Sequence, residues 1–251
     1  MTLTELAIVC VPLLVPITML ALVVRDTWRS IQPSRLMIRG EFAAARAASI
    51  DVGESWMRWL PGVRPTTPYM IALSHHLEGD LEEAARILAD LERGDHGPLD
   101  DNMTYAVQSL EAANLVLQQS DPDRVLRLLA ATAKSARFAR DELMEAIALL
   151  ALDRREAADE HFRAAGILPA KPEPKLGKVV LLWNETLESA MFYTLRGMYL
   201  RQTGRETEAV EALLRATSGP KTNVYVEGAR RLLADASLAA PEEHYERERR
   251  S

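Results

Sequence analysis

Cysteine is nearly missing from this chain: Cys10 stands alone among 251 residues. That excludes a disulfide framework, a cysteine-based structural zinc site and an iron–sulfur cluster, each of which needs several thiolates. It also leaves no redox clue to the compartment. A surplus of positive charge is missing too. The chain has 30 Lys and Arg against 36 Asp and Glu, a formal net charge of −6 with the signs interspersed. Nucleic-acid domains gather Lys and Arg on one face, so no nucleic-acid partner is expected. The 12 glycines are scattered singly at turns, so no glycine-rich loop follows a strand to cradle a phosphate.

Histidine is sparse as well. The five are His75, His76, His96, His161 and His244, and no pair has the i, i+4 spacing with a Glu that zinc hydrolases use. His75 and His76 are adjacent, so on a helix they diverge by about 100° and cannot readily share one ion. Acidic pairs such as Glu82 and Glu83 fall at helix starts, where carboxylates favour the helix dipole. With no nucleophile–base pair, metal cluster or phosphate cradle, neither catalytic residues nor a metal or other cofactor are expected, and the chain reads as a non-enzyme.

Apolar residues are what the chain has in quantity, 48% of the total, enough for one domain with a sizeable core plus a short appendage. Ala is abundant and Arg far outnumbers Lys, a compositional habit of GC-rich bacterial genomes. Residues 6–24, LAIVCVPLLVPITMLALVV, form an uncharged run of nineteen, about the length a helix rising roughly 1.5 Å per residue needs to cross a bilayer. Pro12 and Pro16 are tolerable in a spanning helix. An anchor is favoured over a cleaved signal peptide because the segment opens with Met1-Thr2-Leu3-Thr4-Glu5 and lacks a small-residue cleavage site. Arg25, Arg29, Arg35 and Arg39 follow the run and only Glu5 precedes it. Positive residues stay inside, so a single-pass inner-membrane protein with its large domain in the cytoplasm is expected. Trp28, just past the run, suits the headgroup layer or simple packing.

Beyond the run, four segments repeat one grammar: a helix, a short polar turn, and a second helix with Ala followed four positions later by a large apolar residue. That spacing places both residues on one helical face. The clearest runs from Tyr69 to Leu88, with Gly79 ending the first helix and Ala84 and Leu88 packing the second. Another runs from Phe192 to Ala216, where Gly204 terminates, Ala209 and Leu213 pack, and Gly197 permits close helix contact. Between them lie Ala113 and Val116 before Ser120-Asp121-Pro122, with Val125 and Leu129 after; then Ala146 and Leu149 before Asp153-Arg154-Arg155, with Ala158, Phe162 and Ala165 after. A degenerate fifth unit surrounds Gly40.

These residues resemble tetratricopeptide repeats, whose helix–turn–helix unit is about 34 residues long with small residues at the helix contacts. The resemblance implies an all-α fold, a TPR-like helical-hairpin solenoid preceded by a single N-terminal transmembrane helix. Residues 1–26 are read as the anchor, 27–68 as a juxtamembrane connector, 69–238 as the repeat domain and 239–251 as a charged, solvated tail. The turns are unevenly spaced, so insertions are expected, the largest being the Pro-rich 166–178. Trp56 and Trp59 in the connector are read as core or as a platform at the membrane surface. A capping helix is expected over 223–238.

Repeats of this family hold a protein partner or peptide in a concave groove lined by their first helices. Mapped here, that groove takes Tyr69, Leu73 and His76, then Leu110, Asn114 and Leu117, then Thr194, Met198 and Arg201; core packing is the alternative for some of these, Leu110 and Leu117 especially. The resulting reading is a membrane-anchored scaffold or adaptor in a bacterial envelope complex, its oligomeric state open. The alternative is a holdase-like chaperone, similar to translocon-associated anchored repeat proteins whose domain faces the periplasm.

Overall fold

Among the described residues, the first helices of five hairpins end on one stop signal. Gly40, Gly79, Gln119, Asp153 and Gly204 each take a positive φ. At each, two N–H groups turn back onto the ending helix: at the second, Gly79 N donates to His76 O at 3.1 Å and Asp80 N to His75 O at 2.9 Å. This is a Schellman closure, which satisfies carbonyls that the helix itself leaves bare. Glycine takes the left-handed conformation freely, whereas Gln119 and Asp153 hold it against a steric penalty.

The computed structural model describes residues 25–26, 28–55, 63–131, 138–167, 185–217 and 223–249. A helical stretch at 28–38 leads into α1 (Phe42–Glu54). There follow α2 (Val63–Glu78), α3 (Leu81–Glu92), α4 (Asp101–Leu117), α5 (Pro122–Ala130), α6 (Ala139–Ala151), α7 (Arg155–Ile167), α8 (Glu185–Gln202), α9 (Glu206–Ala216) and α10 (Val224–Arg249). No strand occurs among the described residues. Asp80, Asp100 and Asp121 each accept a backbone N–H in the first turn of the helix that follows, and Pro122 sits in that first turn where its missing N–H does no harm.

The helices pair across the five turns. Each second helix buries the residues its sequence spacing selects: Ala45 and Ser49, Ala84 and Leu88, Val125 and Leu129, Ala158 and Phe162, Ala209 and Leu213. Gly197 lets α8 and α9 approach closely, since a Cβ there would lie 2.5 Å from Leu213 Cδ2.

The first helices do not form an open wall. α2 packs on α4, α4 on α6, α6 on α8 and α8 on α10, and α10 returns to touch α2. His76 sits at that closure, 1% exposed. Its Nδ1 meets Asn114 Oδ1 of α4 and its Nε2 meets Tyr225 OH of α10 at 2.7 Å. A carbonyl oxygen only accepts, so Nδ1 carries the proton and Nε2 accepts from the tyrosine O–H. The imidazole is therefore neutral. Burial lowers its pKa to about 4, with Asn114 opposing part of the shift.

Several expectations need correction. No helix among the described residues is long and apolar enough to cross a membrane, because these helices carry charged residues at short intervals. Residues 6–24, which prompted the transmembrane expectation, lie outside the described residues. The fold class is accordingly an all-α stack of hairpins, and the membrane anchor, the membrane as partner through 6–24 and the single-pass inner-membrane location are withdrawn with it. Arg29 of the arginine flank pairs with Asp51 of α1 at 2.6 Å, and that carboxylate raises its pKa. Arg35 lies 4.1 Å over the ring of Trp28. Helix α10 extends to Arg249, past the 223–238 expected for a capping helix, in keeping with its Ala, Glu and Arg content. Trp56 and Trp59, and the Pro-rich insertion beyond Ile167, lie outside the described residues.

Candidate functional site

The nine residues assigned to a partner groove fall mainly inside the ring. Tyr69, Leu73, His76, Leu110, Asn114 and Thr194 are buried, and Leu117 and Met198 are half-buried against the same core. His76, Asn114 and Thr194 do come together, around Tyr225: Thr194 Oγ1 donates to the Tyr225 carbonyl at 3.0 Å. Arg201 holds α10 from outside, donating to Leu232 O at 3.1 Å. These side chains close the ring. A partner could reach the buried ones only by opening it.

What sequence spacing did not reveal is the charge buried in α6. Residues 139–149 are all buried although they include Arg140, Asp141, Glu142 and Glu145. The helix is wrapped by α4, α5, α7 and α8, and buried charge is retained only where partners compensate it. Asp141 accepts from Phe138 N at 2.9 Å, Tyr105 OH at 2.6 Å and Ser109 Oγ at 3.0 Å. It thus starts α6 and ties it to α4. Burial pushes the Tyr105 phenol up, with the Arg140 charge opposing part of that shift. Arg140 stacks its guanidinium 5.1 Å from the Phe138 ring.

The other charged face of α6 carries Glu142 and Glu145, one turn apart, opposite His161 of α7. His161 Nδ1 lies 2.6 Å from Glu142 Oε2 and 2.9 Å from Glu145 Oε2. The hydrogen bond to Glu145 raises the histidine pKa most; partial burial opposes it, and Glu142 adds to it. The imidazole side chain is 30% exposed, so this group is reachable from solvent at one edge.

A cleft of about 740 Å³ opens where the turns of three successive hairpins lie side by side. Leu115, Val116, Val125, Ile147, Ala148 and Leu150 supply its apolar lining. Gln119, Ser120, Gln202 and Thr203 supply polar groups from the first and third turns. Arg155 and Arg205 also line it. They pair with Asp153 and Glu208, so the rim carries matched charge. Asp159 enters the cleft while accepting from Tyr199 OH. The cleft residues show no consistent sequence signature beyond their position beside turns.

Comparison with known proteins returns no matching family model, no matching curated protein and no matching solved structure. The likeness to tetratricopeptide repeats therefore stands on the hairpin pattern alone.

Proposed function

We propose that this chain is a non-enzymatic binding protein that takes a short, uncharged segment of a protein partner, bearing one or two apolar anchors, in the cleft beside three of its hairpin turns. One observation carries the reading: a cleft lined by both apolar and polar side chains runs across three hairpins, with Gln119 beside the first turn and Gln202 beside the third. A primary amide both donates and accepts, so Gln119 and Gln202 suit the main chain of an extended peptide. The apolar side chains of the lining suit one or two leucine-sized anchors, each contributing roughly 1.5–3 kcal/mol on burial. Matched charge on the rim favours an uncharged segment over a strongly acidic or basic one.

The test is selection from a random-peptide display library on the full chain, repeated with Ala151→Trp, which fills the cleft from an exposed position. Selected peptides should share spaced apolar residues, and the Trp variant should lose at least about tenfold in affinity for them, a difference of roughly 1.4 kcal/mol, while keeping its thermal midpoint. Peptides that bind the folded variant equally well would refute the assignment. Unrelated sequences bound without competition for the cleft would favour the holdase alternative.

A further inference from the structure

We propose that Glu142, Glu145 and His161 form a binding site for a divalent transition-metal cation, bridging the two helices of the α6–α7 hairpin. The two glutamates stand three residues apart, so they project from one face of α6. His161 reaches them from α7, and one ligand atom from each residue lies within 4.8 Å of the others. Both carboxylates are more than nine-tenths buried, and both direct an oxygen at the same imidazole nitrogen. That convergence distinguishes the group from the acidic pairs scattered over the surface.

The chemistry of the donors narrows the ion. Two carboxylate oxygens and one imidazole nitrogen suit zinc, manganese or ferrous iron, whereas magnesium and calcium favour all-oxygen sets and cuprous ions favour sulfur. Zinc holds such atoms at about 2.0–2.2 Å. In a tetrahedral shell its ligands then stand about 3.4 Å from one another. The two contacts to His161 Nδ1, 2.6 and 2.9 Å, need to open by less than about 1 Å, within reach of small side-chain rotations. The ion takes the place of the proton shared between His161 and the carboxylates. Three protein ligands leave at least one position for water or a ligand atom from outside, and the partly exposed edge of His161 provides the way in. Because the ligands come from two helices, occupancy clamps the hairpin and adds stability by mass action.

The test uses the full chain stripped with a chelator and then titrated with cobalt(II), read by visible absorption, and with zinc(II), read by calorimetry. Wild type should take up one equivalent with a low-symmetry cobalt spectrum, and zinc should raise its thermal midpoint and slow amide exchange in α6 and α7. His161→Ala and Glu145→Gln should each weaken binding on the order of a hundredfold, and His96→Ala should leave it unchanged. Should Glu145→Gln fail to fold, the exchange measurement on wild type carries the test alone. Absent cobalt absorption, zinc without effect on exchange in α6 and α7, or equal binding by folded His161→Ala would each overturn the proposal.

Discussion

Lowering the pH from 7 towards 4 adds a proton to His76 in the unfolded chain long before it adds one in the native ring. The native imidazole is buried and already donates from Nδ1 to Asn114 while Nε2 accepts from Tyr225. A second proton would force the Tyr225 hydroxyl to turn from donor to acceptor and would place a charge in the core. The native pKa of about 4 lies below the ordinary 6.5, so the contribution to stability is whole above about pH 6.5 and is lost as pH falls towards 4. Each pH unit in that window removes about 1.4 kcal/mol, close to 3 kcal/mol in all. Urea midpoints measured at intervals across the window, for wild type and His76→Gln, isolate this residue, because other groups titrate alike in both. His161 works in the opposite direction: its raised pKa favours the native state at low pH, an effect lost as pH rises through its native value. Amide exchange should accelerate first in the N-terminal half of α10, which the ring closure holds. Parallel pH profiles for wild type and His76→Gln would refute the argument.

Two further substitutions test the packing. Gly197→Ala sets a methyl group against Leu213 at 2.5 Å and should cost about 1–3 kcal/mol in urea unfolding; the same substitution made in a Leu213→Ala background should cost less if crowding is the cause. Asp153→Gly relieves a left-handed residue at φ 56° and should raise stability by about 0.5 kcal/mol, since the ion pair it gives up with Arg155 is exposed on both sides. An unchanged or lower midpoint would show that the turn at Asp153 is not strained.

How much of the fold was legible in the sequence follows from the distance over which each feature is set. The hairpins at Gly79 and Gly204 could be read because a turn glycine and an Ala with a large apolar residue four positions on are local signals. The unit around Gly40 was harder to see, yet it closes through the same backbone bonds as the others. Most of the residues mapped to a groove lie in the core, the alternative that the sequence left open for some of them. Helical periodicity identifies the face that Tyr69, Leu73 and His76 share; it says nothing about whether another helix covers that face, and here α10 comes round to do so. Glu142 and Glu145 gave no signal in the sequence for the same reason: the neighbours that bury them are supplied by other helices.

The sequence by itself determined the helices, their stops and the apolar residues that join each pair, because these depend on contacts within a few turns of chain. Tertiary structure alone decided that the array closes on itself, that a charged helix lies at its centre, and that a histidine meets two glutamates. Those outcomes turn on pairs such as His76 and Tyr225, separated by 149 residues. Their meeting is a property of how all the intervening hairpins stack, and no local pattern encodes it.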